Sequence, residues 1–431
     1  MIHNLRRFII TALAAGSLAA MTAPQHAAAE TIDECLAMAE ENYPLVRRYD
    51  LVEKTTQFTL ANIAQGWLPQ VNAYAQTTLQ SSVVHLPAQL EQLLAAQGTS
   101  VKGIMPLQYR AGVDVQQTVY DGGAMAAAQD VARAQAAIEA ARNDVDIYAL
   151  RERVNGVYFG WLLVEERLRL NTELQTLLAA NVTKLEALLK GGVAMGSDVD
   201  AVRAELVMAR QQQGELESTR DALKRVLSLL CGREVTSVVE PEERLASSAP
   251  ERPEIRLFDT QLSLVDAQER SLHTRLMPQF GVFAQGYYGY TGFDMYRDMF
   301  HRTPTLNALI GARLTWNISA FYTRNNDQRR LAAQRKSIEV ARETFRFNQQ
   351  LLSTQEQQNA LRYRRVMADD DEILSLRTNV RRAAEAKLAG GIIDANALLQ
   401  EITRENQAAI LRSIHRIEYL KALYEVQRIG Q

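Results

Sequence analysis

The residue types that carry most enzyme chemistry are few and scattered in this sequence. Beyond residue 29 the histidines are His85, His273, His301 and His415, and none lies in a His-Glu-x-x-His arrangement or beside a cysteine pair. Gly191-Gly192 is not followed by Lys-Ser or Lys-Thr at the spacing of a phosphate-binding loop. No Gly-x-Ser-x-Gly segment marks a hydrolase nucleophile. The sequence therefore predicts no catalytic residue, no metal ligand, no cofactor and no enzyme activity.

The first residues have the pattern of an export signal. Arg6 and Arg7 precede an apolar stretch over residues 8–21, and Ala27-Ala28-Ala29 offers small residues at a cleavage site. This pattern predicts a signal peptide over residues 1–29, with cleavage before Glu30. No later apolar run approaches the roughly 20 residues of a membrane helix. An exported chain of this kind is either soluble or inserted in a membrane through β-strands.

Charge and cysteine content limit the remaining classes. The chain has 48 basic and 50 acidic residues and a net charge of -2, which excludes the concentrated positive field of a nucleic-acid-binding protein. Cys35 and Cys231 are the only cysteines. In an oxidising periplasm they form a disulfide, or else they are two buried free thiols. The sequence leaves both alternatives open, because it does not show whether the two residues are close.

The chain contains an internal repeat. A spacing of 209 residues separates Pro44 from Pro253 and Pro69 from Pro278, each pair in similar local sequence. A spacing of 199 residues separates Gly112 from Gly311 and Gly191 from Gly390. The sequence therefore predicts a first repeat over 30–231, a linker over 232–252 and a second repeat over 253–431. The first repeat carries 10 more residues, between Gln70 and Gly112.

Each repeat contains two segments in which apolar and polar residues alternate. The clearest sets Ala308, Ile310 and Ala312 against Arg313 and Thr315. This period predicts strands at about 70–80, 108–120, 279–290 and 307–318. Strands of about 10 residues with one apolar face suit a membrane barrel, although one wet face is equally normal in a soluble sheet. Four strands cannot close a bacterial barrel, which needs at least about 8, so a membrane barrel would be shared among subunits.

Aromatic residues cluster near the ends of these strands. An interfacial aromatic belt would have this pattern, and packing at a helix–sheet junction is the alternative. The residues concerned are Trp67, Tyr109, Tyr120, Tyr287, Tyr288, Tyr290, Trp316 and Tyr322.

After its strands each repeat continues into a very long helical segment. Residues 122–189 and 320–388 contain no proline and are rich in helix formers. Such a segment makes about 100 Å of helix, which suggests coiled-coil packing. Each ends at a glycine pair, Gly191-Gly192 or Gly390-Gly391, and a return helix begins near Ser197-Asp198 or Asp394. The sequence predicts α-hairpins over about 122–231 and 320–428.

Two further segments have alternative interpretations. The loop over residues 81–106, with an amphipathic helix near 86–96, is by default a surface loop, and a lid or an external contact site is the alternative. Asp369-Asp370-Asp371-Glu372 follows three arginines on one helix. This run predicts a solvated face with charge pairs, and the lining of a cation-attracting channel is the alternative.

The residues in this order resemble the TolC family of outer-membrane efflux proteins. The resemblance rests on the two repeats and on the segments Cys35–Ala39, Tyr43-Pro44, Trp67–Gln70 and Leu189–Gly192 followed by Asp198-Val199. It implies a homotrimer in which each repeat gives a helix, a β-hairpin and a long α-hairpin. Three chains would form a 12-stranded β-barrel in outer-membrane lipid, joined to a long α-helical barrel in the periplasm.

The resemblance also implies partners and a gate. The turns at Gly191-Gly192 and Gly390-Gly391 would be the closed tip, docked against a periplasmic adaptor that links to an inner-membrane pump. Acidic rings narrow the pore in such channels, but here the equivalent positions fall on Ala397 and Gln400. Asp394, Asp198 and Asp200 are the nearby candidates for pore-end charges. Their alternative role is that of helix caps and surface carboxylates.

These expectations combine into one functional hypothesis. The chain is predicted to be a passive exit duct of the outer membrane that serves a tripartite efflux or type I secretion system. The first alternative is a soluble periplasmic coiled-coil scaffold or adaptor-like protein, which would lack four amphipathic strands set inside two equal repeats. The second is an outer-membrane hydrolase, for which no catalytic constellation is present.

Overall fold

The computed structural model describes residues 30–243 and 252–430. Within these residues the chain is mainly helical and carries one four-stranded sheet, which confirms the predicted class of α with β. The signal peptide predicted over 1–29 and part of the predicted linker lie outside the described residues. In the described part, no helix combines the length and apolar character needed to cross a bilayer.

The chain opens with two helices, α1 (Ile32–Asn42) and α2 (Val46–Ala64). Thr31 and Glu34 exchange hydrogen bonds at the start of α1: Thr31 N donates to Glu34 Oε2 at 2.9 Å, and Glu34 N donates to Thr31 Oγ1 at 3.3 Å. This reciprocal pair is a capping box. Between these two helices the chain breaks at Tyr43-Pro44. Proline disfavours helical backbone in the residue before it, which explains the break.

The strands are β1 (Gln70–Leu79), β2 (Leu107–Tyr120), β3 (Gln279–Tyr290) and β4 (Thr305–Thr315). They form one antiparallel sheet in chain order. The loop after β1 contains α3 (Ala88–Ala96), and the loop after β3 contains α8 (Met295–Phe300). β4 was expected to reach residue 318, but it ends at Thr315. There the backbone turns, with Ile318 N donating to Trp316 O at 3.1 Å.

Six further helices complete the fold of the described residues. They are α4 (Ala124–Tyr148), α5 (Leu150–Lys190), α6 (Gly196–Cys231), α7 (Pro253–Thr274), α9 (Ala320–Ala389) and α10 (Ala395–Ile429). The 70-residue α9 is unbroken, at a length of about 105 Å, whereas its counterpart is divided at Ala149. The division lies beside Tyr148, whose ring has Arg151 at 5.0 Å and Arg252 at 4.7 Å.

The described residues form two compact units. The helical unit consists of residues 30–42, 152–243 and 359–424, and the sheet unit consists of 43–151, 252–358 and 425–430. Each unit draws on both sequence repeats. The repeats and the compact units are therefore two different divisions of the same chain.

The helical unit has an apolar core near the turns of both α-hairpins. Each buried leucine of such a core stabilises the fold by roughly 1.5–3 kcal/mol, so this cluster is a main source of order at the hairpin ends. Its buried members are Leu178, Leu185, Val199, Val202, Leu206, Ala209, Ala384, Leu388, Ala395, Leu398 and Ile402.

Candidate channel surfaces

The sheet has one face made of exposed aliphatic side chains. A row of paired residues crosses the four strands as Val71, Val115, Ala284 and Ile310. Side chains of this face on the two outer strands are almost fully exposed: Leu79 is 79%, Leu306 81% and Ile310 82% accessible. A contiguous apolar surface of this kind in a native protein marks contact with a membrane or with another protein.

The opposite face is polar and carries all three charged residues of the described strands, Arg110, Asp114 and Arg313. Other members of this face include Gln70, Asn72, Tyr74, Gln76, Gln108, Gln116, Phe283, Gln285, Tyr287 and Asn307. An apolar face backed by a polar face is the arrangement of a strand that separates lipid from a water-filled lumen.

Arg110 is held in place by its neighbours on the polar face. Its guanidinium carbon lies 5.9 Å from the ring centre of Tyr74 and 5.7 Å from that of Tyr287. Its Nε and Nη2 donate to Gln76 Oε1 at 3.3 and 3.0 Å. The paired residue Gly289 leaves the necessary room, because a Cβ there would lie 2.6 Å from Arg110 Cα.

Arg313 has a similar support at the other end of the strands. Its guanidinium carbon lies 5.0 Å from the ring centre of Phe283. That ring lies over Gly311, where a Cβ would meet Phe283 Cζ at 2.7 Å. Sequence reasoning did not single out either arginine. Each arginine is paired with a glycine across the sheet, Arg110 with Gly289 and Arg313 with Gly281. This pairing could have pointed to them, but it requires the strand register, which the sequence does not show.

The loops that follow β1 and β3 pack into one small core. Ile104, Tyr290 and Met299 are buried there, and Met105 N donates to Tyr290 Oη at 3.1 Å. Arg302 Nε donates to Gly103 O at 3.0 Å and fastens one loop to the other. Tyr290 therefore belongs to this core, and Tyr287 to the polar face. For these two residues the structure favours the packing alternative over an aromatic belt. The other six residues of the set are exposed: Trp67, Tyr109, Tyr120, Tyr288, Trp316 and Tyr322.

The two α-hairpins have the same turn. Gly192 N donates to Leu189 O at 3.0 Å and Val193 N to Leu188 O at 2.9 Å. The second turn repeats this pattern through Gly391 N to Leu388 O and Ile392 N to Lys387 O. This is a Schellman motif, whose C′ residue has a positive φ: 74° at Gly192 and 67° at Gly391. Gly191 and Gly390 precede these residues and do not have positive φ.

Two of the three acidic candidates act as helix caps in the structure. Asp394 Oδ1 accepts a hydrogen bond from Ala397 N at 2.8 Å and caps α10. Asp198 lies one turn inside α6, which begins at Gly196, and its Oδ2 accepts from Met195 N at 2.8 Å. The sequence suggested that α6 begins near Ser197-Asp198, with one of them as its N-cap. In the structure the N-cap residue is Met195, and Asp198 caps the helix from the third helical position. Asp200 is exposed on α6.

Cys35 and Cys231 are neighbours in the helical unit. Both are buried free thiols, and Cys231 Sγ lies 3.7 Å from Cys35 O. The hydrogen bond with Cys231 and burial raise the pKa of the Cys35 thiol, so this group is protonated at neutral pH. A disulfide between them in the oxidising periplasm remains a prediction, now with the proximity that the sequence did not show.

The acidic run on α9 is not a uniformly solvated face. Asp371 is exposed and pairs with Arg412, whose Nε lies 2.7 Å from Asp371 Oδ1. Asp370 is buried and contacts His415 on α10. On α5 the neighbouring Glu166 accepts hydrogen bonds from Arg169, which lower the pKa of its carboxyl group. The sequence predicted charge pairs here and missed the burial of one of them.

Comparison with known proteins agrees with this architecture. Residues 54–233 match the family model described as outer membrane efflux protein. Comparison with curated proteins gives no match. Among solved structures, the outer-membrane channel OprN is 12% identical, with a TM-score of 0.65 over 92% of this chain and 89% of that one.

Two further channel structures are similar to the chain. The Campylobacter jejuni CmeC outer membrane channel is 13% identical, with a TM-score of 0.62 over 93% of this chain and 85% of that one. The open state of the Neisseria gonorrhoeae MtrE outer membrane channel is 14% identical, with a TM-score of 0.62 over 92% and 88%. At these identities the likeness establishes the fold.

The fold is that of an outer-membrane channel, a class of transport proteins without enzyme activity. The family match over residues 54–233 confirms the resemblance to the TolC-like outer-membrane efflux proteins. These findings support an efflux channel, and they place the protein in the cell outer membrane, extending into the periplasm.

Proposed function

We propose that three copies of this chain form a passive exit duct for solutes, driven by an inner-membrane pump through a periplasmic adaptor. The observation that carries this proposal is the open, two-faced sheet. Its aliphatic face is exposed on the outer strands and over much of the inner ones, and its polar face holds every charge of the described strands. A chain that supplies only four such strands needs further copies to enclose a lumen.

The edges of the sheet support closure by identical copies. β1 and β4 are the outer strands, and each has one side without a partner strand in this chain. Because every neighbouring pair in the sheet is antiparallel, β4 of one copy can pair antiparallel with β1 of the next. Three copies would give a barrel of 12 strands, which exceeds the minimum of about 8.

Exposed apolar residues on α9 also support contact between copies. Val340 and Phe347 are exposed at a spacing of seven residues in the sheet unit. Val366, Ile373 and Val380 repeat that spacing in the helical unit. Apolar residues seven apart on a long helix form the seam of a coiled coil. Neighbouring copies would cover these positions in a helical barrel.

The hairpin turns are the proposed docking site for the adaptor. Val193 and Ile392 occupy the same position of the two turns and are 59% and 74% accessible. A Cβ at Gly391 would lie 3.7 Å from Val193 Cγ1, so the two turns are adjacent. Paired exposed aliphatic residues suit an apolar helical partner. Asp394, Asp198 and Asp200 lie beside these turns, and they are proposed as pore-end charges in addition to the capping roles of Asp394 and Asp198.

Disulfide trapping tests the proposed assembly. In a chain with Cys35→Ala and Cys231→Ala, we would combine Leu309→Cys on β4 with a cysteine at each β1 position from 71 to 78 in turn. Oxidation should give cross-linked trimers for a subset of these positions. The control is Val115→Cys with Ala284→Cys, a paired position between β2 and β3, which should cross-link only within one chain.

Mass and conductance measurements complete the test. The purified protein should have the mass of a trimer in detergent and give discrete conductance steps in a planar bilayer. A monomer that stays soluble without detergent and gives no conductance would favour the periplasmic scaffold.

The docking proposal is tested separately. Val193→Glu with Ile392→Glu should abolish export in cells and leave bilayer conductance unchanged, and loss of both would argue against a pure docking role.

A further inference from the structure

The polar face of the sheet has an uneven distribution of charge. Arg110 and Arg313 are its basic residues, and Asp114 is its acidic residue. Arg110 is paired with Gly289, Asp114 with Gln285, and Arg313 with Gly281. The order along β3 is therefore positive, negative, positive. Each chain contributes a net positive charge to this face, and both of its ends are basic.

Aromatic rings of the sheet contact both arginines, and Arg110 is held further by hydrogen bonds. Arg110 lies between the rings of Tyr74 and Tyr287 and is hydrogen-bonded to Gln76. Stacking on aromatic rings and fork-like hydrogen bonds suit a planar guanidinium, and they reduce the freedom that a long side chain otherwise has. A charge held in this way acts at a constant position.

Glycines make this arrangement possible. Gly112 is paired with Tyr287, where a Cβ would lie 2.6 Å from Tyr287 Cβ. Gly289 gives the same room to Arg110, and Gly311 gives it to the ring of Phe283. Glycine in the middle of a strand costs stability and commonly marks a close approach of other groups. Here Gly112 and Gly311 lie against the rings of Tyr287 and Phe283, which contact the arginines, and Gly289 lies against Arg110.

We propose that Arg110 and Arg313 form two rings of positive charge in the pore and favour solutes that carry carboxylate, sulfonate or phosphate groups. This inference rests on the proposed trimeric channel, in which the polar face lines the lumen. The two rings lie eight residues apart along β3, which corresponds to about 27 Å. A solute would meet one ring near the loops and the other near the helices.

The proposal fits the physics of narrow pores. Fixed charges of one sign in a water-filled passage with low-dielectric walls raise the local concentration of counter-ions. Guanidinium groups also bind planar oxyanions through two parallel hydrogen bonds. Gln76 engages Nε and one terminal nitrogen of Arg110. The Asp114 carboxylate lies between the rings and offsets part of their charge.

Reversal potentials in a planar bilayer under a KCl gradient test the inference. Arg110→Gln with Arg313→Gln should lower the ratio of anion to cation permeability severalfold at low salt, and Asp114→Asn should raise it. Arg110→Lys with Arg313→Lys keeps the charges and should retain the wild-type ratio. The matched control is Arg133→Gln, which removes an exposed arginine from α4, outside the sheet. The differences should shrink at high salt, because the screening length falls to about 3 Å at 1 M.

The outcomes distinguish this inference from the proposed function. A conducting wild-type trimer with the same reversal potential as the double glutamine variant would overturn the charge rings and leave the channel intact. A wild-type protein without conductance would overturn the channel, and the inference with it. Trimer mass in detergent, measured for every variant, ensures that only assembled proteins are compared.

Discussion

His415 Nδ1 lies 2.8 Å from Asp370 Oδ2 and joins α10 to α9 within the helical unit. Asp370 is only 8% accessible, so its carboxylate depends on partners within the protein. Removing the hydrogen-bond partner of a buried polar group costs more than losing an exposed pair. The relationship makes His415 a structural residue of the second α-hairpin.

His415→Ala should therefore destabilise the protein by about 2 kcal/mol. The matched control is Arg412→Ala, which removes the exposed pair with Asp371 one turn away and should cost less than about 1 kcal/mol. Thermal unfolding followed by circular dichroism in detergent compares the two variants. An equal loss of stability in the two variants would show that the burial of Asp370 does not increase the cost of losing its partner.

The hairpin turns provide a second prediction. Gly391→Ala places a side chain at a φ of 67° and should cost about 1 kcal/mol through backbone strain alone, since a Cβ there makes only ordinary contacts. Gly390→Ala is the control, because its Cβ would lie 3.6 Å from Ala386 O and its φ is not positive. Local hydrogen exchange at residues 388–394 measures the effect. Similar exchange in both variants would contradict the left-handed requirement.

The capping and charge roles of Asp394 can be separated by substitution. Asp394→Ser keeps a side-chain oxygen for Ala397 N and should preserve stability, whereas Asp394→Ala should lose about 1 kcal/mol. Both variants remove the carboxylate. If Asp394 also acts as a pore-end charge, both should reduce cation preference in bilayer recordings to the same extent. Unchanged selectivity in both would limit Asp394 to its cap.

Tyr158 gives a prediction that depends on pH. Its Oη is buried between backbone groups, 2.9 Å from Glu30 O and 2.7 Å from Val239 O. Burial raises the pKa of the Tyr158 phenol above its ordinary value of 10.0. The neutral phenol is favoured in the folded state, so its contribution is complete below pH 10 and is lost as the pH rises through the folded-state value.

Tyr158→Phe should lower the unfolding free energy by about 2 kcal/mol at neutral pH, because it leaves buried backbone groups without their partner. The difference between wild type and variant should shrink above pH 10. Chemical unfolding at a series of pH values measures it. A difference that stays constant up to pH 11 would mean that Tyr158 ionises equally in both states.

The predicted fold agrees with the structure wherever the sequence period was long and regular. The alternation in β4 and the glycine pair at residues 390–391 were local signals, and each was sufficient for its element. Other features depended on partners distant in the sequence. Arg110 is important because Tyr287 and Gly289 lie beside it, and Asp370 is buried because α10 supplies His415. Such contacts have no signature in a single sequence, and neither do the small breaks at Pro44 and Ala149.

The loop between β1 and β2 lies in the stretch where the first repeat has gained 10 residues. The paired positions on either side of it remain in uninterrupted register from Gln70 to Leu79, and α3 within it has no buried residue. The first repeat thus accommodates 10 more residues here than the second without disturbing the ladder. The same tolerance makes the segment after α3, near Gly98, the natural place to graft a foreign peptide, for example an epitope displayed on whole cells.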